Sequence, residues 1–427
     1  MRYGRFLFAL NSDRPKLFYG WWITLTFAIT ETVSWGVIFY AFSVFITTNE
    51  ADFGWTRAEI TGAFSLSLLV MAAMSFPVGW VLDRYGPRLL MTIGSIAATI
   101  LIFTLSRVES LTTFYVVWAG LGVTAAMVLY EPSFVVVAKW FTRYRPRALA
   151  IITFAAGFAS TIFLPLTDYL IRSFGREQAW LILALILGVI TIPLHGLILR
   201  PSPESMGLEP DGQESHSANN TAAQNQSSTI SITLAQAIRQ PTFWWFGLSF
   251  AFSALSAIAI RVHFIPFLID AAYSPEFAAW LGGIIGAMQV VGRLAFAPVG
   301  ERISLKTIVV AIFLIQGGSI LLLQFFPTLT GIWIFVVVFG AAYGATTLAR
   351  VAMLADLYGG ENYGRISSIQ AMSFRVANMI APVGAGIIYT QTGNSYQMVL
   401  PILAVLSLLA AAAILKVDQP PATQFAS

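Results

Sequence analysis

The chain of 427 residues is 57% hydrophobic and only 10% charged, with a mean hydropathy of +0.76 and a formal charge of +4. A soluble domain carries about 25% charged residues, so this composition excludes a soluble enzyme, a nucleic-acid binder and a disordered chain. The absence of cysteine removes disulfides, thiolate metal sites and cysteine nucleophiles, and His195, His216 and His263 share no metal-ligand spacing.

In chain order, twelve stretches are long and apolar enough to cross a bilayer: 19–46, 57–81, 88–106, 112–138, 148–171, 178–199, 241–268, 277–299, 305–325, 331–356, 365–390 and 396–416. The expectation is an all-α integral membrane protein whose twelve transmembrane helices form two six-helix bundles, 1–199 and 241–427. Residues 200–240 contain a Ser-, Asn-, Gln- and Ala-rich tract, Gly212 to Ser228, that cannot build a core. They read as a flexible cytoplasmic linker. The triplets beginning at Asn219 and Asn225 are then on the wrong side for glycosylation.

Lysine and arginine placement sets the orientation. With the N-terminus inside, the inner segments hold seventeen of these residues and the outer segments four, Arg57, Arg107, Arg172 and Arg176. Both termini are therefore expected in the cytoplasm. The first span is too long for a signal segment and is expected to remain.

The halves repeat at an offset of 218 residues: Asp83-Arg84 matches Glu301-Arg302, Arg88 matches Lys306, and Arg147 matches Arg365. Duplicated bundles of this kind place a substrate site near the midplane and rock one half against the other. The segment Gly79-Trp-Val-Leu-Asp83-Arg84-Tyr-Gly86-Pro87-Arg88 resembles the loop motif of the major facilitator superfamily, and it recurs, weakened, as Gly300-Glu301-Arg302. Glycine permits a tight turn and close helix approach. Asp83 and Arg84 are expected to clamp helix ends on the inner face.

Further segments resemble the monocarboxylate transporter group and its bacterial relatives near the oxalate–formate antiporters. They are Phe18-Tyr-Gly-Trp-Trp22, Phe53-Gly-Trp-Thr-Arg57 and the run from Lys139 to Ala150, followed by Gly157. The eighth span resembles the group's Asp-x-x-x-Arg site, with Arg293 kept and Gln289 in place of the aspartate. Tyr40 stands where animal members carry a lysine. The exchanger's eleventh-span lysine has no clean counterpart, with Gln370 near it by spacing and Arg375 a turn beyond. The resemblance implies the major facilitator fold, monomeric in the usual case, in a bacterial plasma (inner) membrane.

Ionisable residues inside spans are functional candidates by default. Here they are Glu31, Glu131, Arg261, His263, Arg293 and Arg375, with Arg350 nearer an end. The sum is positive, which suits an anion. An arginine fork matches a carboxylate with two parallel hydrogen bonds. Arg293 is the first candidate to bind a substrate carboxylate, assisted by Arg375 or Arg261, and Tyr40, Tyr130 and Trp35 are candidate cavity walls. Glu31 is the first proton-carrier candidate, expected beside an arginine so that proton and anion binding are coupled; Glu131 and His263 follow. The bland alternatives are static Glu–Arg bridges and a packed histidine. Pro266 is expected to break the outer end of the seventh span. Gly282 and Gly286 fit close helix packing.

These residues point to a secondary transporter of a small organic anion, with a monocarboxylate first, by proton symport or anion exchange. The alternatives are an exporter of amphipathic compounds and a membrane nutrient sensor. No cofactor is implied, because no phosphate-cradling Gly-rich Lys motif is present.

Overall fold

The computed structural model describes residues 18–212, 233–300, 302–358 and 363–418. Among these, ten helices are long and apolar enough to cross a membrane. One of the ten, Arg145–Ile198, is two spans folded back at Gly175, whose φ of 81° lies in the left-handed region that glycine adopts at no steric cost. A further apolar helix, Val399–Leu415, is shorter.

The twelve spans are α1 (Tyr19–Phe53), α2 (Arg57–Tyr85), α3 (Pro87–Leu105), α4 (Leu111–Trp140), α5 (145–174) and α6 (176–198) in the first half. The second half holds α7 (Pro241–Asp270), α8 (Pro275–Gly300), α9 (Leu305–Phe325), α10 (Leu329–Tyr358), α11 (Tyr363–Gln391) and α12 (Val399–Leu415). No strand occurs among the described residues.

Local signals explain most ends. Thr56 accepts from the Glu59 amide and Glu59 reaches back to Thr56, a capping box that starts α2. Gly86, at φ 79°, ends α2, and Pro87 opens α3, where its missing N–H costs nothing. Two interruptions lie within spans. Trp35–Tyr40 of α1 is a π-helical segment, a rare form that recurs at functional sites. In α4, Leu129 is extended between Leu111–Val128 and Tyr130–Trp140. Pro132 lacks the N–H that Val128 would accept and its ring crowds that carbonyl, so the helix restarts.

Pro266 does not break α7, which continues to Asp270. The linker expectation also needs correction at its start. The Asp211 carboxylate accepts from the amides of Thr142, Arg143 and Tyr144 at 3.1, 2.7 and 3.2 Å, so the chain after α6 is docked over the α4–α5 turn. Most of the tract Gly212 to Ser228 lies outside the described residues.

The halves meet along two seams, α2 on α11 and α5 on α8, and α1 also touches α7. Small residues allow this approach. A methyl on Gly386 would collide with Thr61 and Ala58, and one on Gly286 with Ser160, so Gly282 and Gly286 serve packing as expected. The apolar cores differ between the two ends of the bundle. At the end of the α2–α3 and α8–α9 turns, here the basic face, each half has its own core: Ile23, Trp140 and Leu199 in one, Phe246, Met353 and Ile414 in the other. At the opposite face one core spans both halves, joining Val44 and Leu164 to Phe264, Ile285 and Tyr396.

Candidate functional site

Where that shared core approaches the midplane, the π-helical segment of α1 presents Phe39 and Tyr40 to α7. The Arg261 guanidinium lies over the rings of Phe39, Tyr40 and Tyr343 at 5.2, 4.9 and 5.3 Å, positions of favourable cation–π contact. Its Nη1 donates to Tyr343 Oη at 3.0 Å. Beside it lies a small cavity lined by Tyr40, Ser160, Arg261 and Gln289, of about 20 Å³, room for about one water. Ser160 Oγ is buried there without a hydrogen-bond partner.

Nearer the basic face, Tyr130 opens the second part of α4. Its hydroxyl lies within electrostatic reach of Glu31, Arg293, Tyr40 and Arg261. Arg293, on α8, donates Nη1 to the Thr153 carbonyl of α5 at 2.9 Å, and its Nε is buried without a partner. Among the described residues, no carboxylate lies within 4.0 Å of Arg261 or Arg293. Glu31 is fully buried, and neither carboxyl oxygen has a hydrogen-bond partner. Ser133 and Trp35 face it outside normal hydrogen-bond geometry. The expected arginine beside Glu31 is therefore not there, while Thr30 and Ser34 on the same helix also bury unpartnered hydroxyls.

Arg375 does have its acid. It pairs with Glu131 across the halves and also donates to Ser75 Oγ at 3.3 Å. Their side chains are 40% and 48% exposed. Charged groups inside a span are tolerated where they meet water, and Glu131 lies nearer the basic-face end of α4 than the opposite one. Gln370 instead ties α11 to α7, donating to the Phe243 carbonyl at 2.7 Å.

The loop motif sits at the mouth of the same face. Asp83 pairs with Lys139 at 3.3 Å, and Arg84 lies over Trp80 and Tyr85. The clamp thus joins α2 to α4 inside one half. Gly86 supplies the turn, whereas Gly79 has open space beside it and permits no close approach. Arg88 is exposed, Arg302 caps the end of α8 through its amide, and Glu301 lies outside the described residues.

Lysine and arginine placement predicts Arg57 to be one of four outer charges. It is instead 3% exposed and central to the opposite face. Glu50 holds it by two bonds of 2.7 and 2.6 Å, Asp270 of α7 by bonds of 2.7 and 3.3 Å, and Tyr396 Oη accepts at 3.0 Å. The Tyr389 ring lies 4.1 Å beneath it. His263 belongs to this network. Its Nε2 donates to the Pro382 carbonyl, which leaves Nδ1 to accept from Tyr396 Oη, both at 2.9 Å. On the other seam Arg172 joins Asp168 at 2.7 Å to Glu276 at 3.4 Å. In the sequence Arg57 is marked by its place one residue after a helix cap and as the last residue of the Phe53–Arg57 segment.

The chain matches the model of the Major Facilitator Superfamily over residues 24–271 and 262–427. It is 23% identical to monocarboxylate transporter 13 of Bos taurus over 394 residues, covering 90% of this chain and 86% of that one. It is 22% identical over 380 residues to the uncharacterized MFS-type transporter YcxA of Bacillus subtilis (strain 168), covering 87% and 89%. Among solved structures, a D-xylose–proton symporter superposes with a TM-score of 0.73 at 13% identity, over 94% of this chain and 98% of that one. A bacterial homologue of the human lysosomal transporter Spinster, inward-facing and unoccupied, gives 0.67 at 15% identity, over 95% of both chains.

Proposed function

Because the chain belongs to the Major Facilitator Superfamily, and is a multi-pass membrane transporter rather than an enzyme, we propose that it carries a small organic anion, with a monocarboxylate as first candidate, by alternating access. One observation carries this reading. Arg261 and Arg293 lie within electrostatic reach of Tyr130 with no carboxylate within 4.0 Å among the described residues, whereas Arg57, Arg172 and Arg375 each have at least one. An uncompensated guanidinium inside a membrane protein is expensive, and a carboxylate is the planar anion that matches its fork. Likeness to proteins named monocarboxylate transporters supports the same class.

Arg293 and Arg261 are the proposed carboxylate ligands, with Tyr40 and Tyr130 as walls. Arg375, already paired with Glu131, is the proposed first contact from the basic cleft. Glu31 is the proposed proton carrier. It is the fully buried carboxylate of α1, and neither oxygen has a hydrogen-bond partner. His263, with both ring nitrogens engaged, is assigned to the closed face. The lysine and arginine bias supports a cytoplasmic basic face, and with that orientation the proposed state is inward-open.

The test is uptake of labelled lactate, pyruvate, acetate and oxalate into proteoliposomes, with and without an inward proton gradient. Gradient-driven accumulation of any of them supports proton-coupled carboxylate transport, and gradient-independent counterflow supports exchange. Absence of both in folded, inserted protein overturns the reading.

A further inference from the structure

We propose that the α7–α8 turn is a latch that closes the face opposite the basic one, engaging two arginines that each keep a permanent acid of their own. The proposal rests on alternating access but not on the substrate. Both ends of the turn carry a carboxylate of the second half. Asp270 ends α7 and Glu276 sits in the first turn of α8. Each meets an arginine of the first half, Arg57 at 2.7 Å and Arg172 at 3.4 Å. Each arginine also holds an acid from its own half, Glu50 at 2.6 Å and Asp168 at 2.7 Å. One arrangement thus occurs twice, once on each seam.

Its physical logic concerns the opening step. A buried charge stripped of its only partner is strongly unfavourable, and the Arg57 side chain is 2% exposed. When the halves part, Asp270 leaves with α7, while Glu50 still holds Nε and Nη2 of Arg57. Asp270 departs with Tyr389, whose hydroxyl donates to it at 2.8 Å, and Tyr396 departs with His263. Neither charge is stranded, so the bridge between the halves can break in every cycle. The Arg172 end is the weaker catch. The Arg172 and Glu276 side chains are 42% and 71% exposed, where ion pairs contribute little.

The two acids on Arg57 therefore act in opposite senses. Neutralising Asp270 removes the bond across the seam and favours opening. Neutralising Glu50 leaves Arg57 with Asp270 alone, so opening would strand it, and the closed face is favoured.

The chain has no cysteine, so Glu109→Cys with Thr330→Cys, both exposed on the opposite face, gives a spin-label pair reporting its width in the full-length protein. Relative to the otherwise unchanged pair, Asp270→Asn should shift the distance distribution longer and Glu50→Gln shorter. Glu276→Gln should lengthen it less than Asp270→Asn. If Asp270→Asn and Glu50→Gln move it in the same direction, the latch is overturned. If no variant moves it, the alternating-access reading falls as well. Opposite shifts without carboxylate uptake support the latch and sink only the substrate assignment. Should Glu50→Gln fail to fold, Asp168→Asn against Glu276→Gln poses the same opposition around Arg172.

Discussion

Arg57, Arg172, Arg261, Arg293 and Arg375 share one chemistry and differ in what faces them. Arg57, Arg172 and Arg375 have carboxylates, and Arg261 and Arg293 have a tyrosine hydroxyl and a backbone carbonyl. Three aromatic rings surround the Arg261 guanidinium and Nη1 donates to Tyr343 Oη, so the proposed anion meets the remaining N–H edge of the fork. Arg261→Lys keeps the charge and loses that edge. Loss of one charge-assisted hydrogen bond costs about 1.5–3 kcal/mol, so KM for the carboxylate should rise roughly ten- to hundredfold; an unchanged KM in initial-rate uptake would place the anion elsewhere. Glu31→Gln keeps the shape of the side chain and removes its titration. Uptake should then lose its response to an inward proton gradient while counterflow exchange persists, and a retained response would move proton coupling to Glu131. The central candidates were legible because charge stands out in an apolar span. Pairing was not. Asp270 is 213 residues from Arg57 along the chain, and no local pattern says which acid an arginine meets.

Among the elements, existence was legible and interruption was not. All twelve spans lie where apolar length put them. The first runs to Phe53 rather than 46, because Thr47, Thr48, Asn49 and Glu50 are polar yet still helical and end only at Gly54, with φ 68°. Those last turns carry Glu50, so the apolar count cut the span short of its functional end. The break in α4 was hidden similarly. Pro132 marks it, but the distortion falls three residues earlier at Leu129 and turns Tyr130 into a helix start. Helix contact is easier to test. A methyl at Gly386 has nowhere to go between Thr61 and Ala58, and overpacking of this kind costs about 1–3 kcal/mol. Gly386→Ala should therefore lower Tm in detergent, since it wedges the α2–α11 seam, whereas Gly79→Ala, which meets nothing, should not. Equal effects at both positions would mean that the seam is looser than its geometry.

At the scale of the whole molecule, asymmetry between the two faces defines the state. The opposite face is sealed by a core shared between the halves and by the Arg57 network, while the basic face has two separate cores and a charged cleft. The loop motif fits this division. Asp83 engages Lys139 of its own half, so it does nothing to hold the basic face shut in this conformation. Ser75, partly exposed beside Arg375, should then be open to water from the basic face, and Ser160, 2% exposed behind the shared core, should be closed to water from the opposite face. The cysteine-free background makes this measurable with a membrane-impermeant thiol reagent. Ser75→Cys should be labelled in inside-out vesicles and spared in right-side-out ones. Ser160→Cys should resist labelling from the outside unless Asp270→Asn is added, and should then react. Labelling of Ser75→Cys from the right-side-out side would reverse the proposed orientation. Reaction of Ser160→Cys from outside without Asp270→Asn would show that the closed face does not seal.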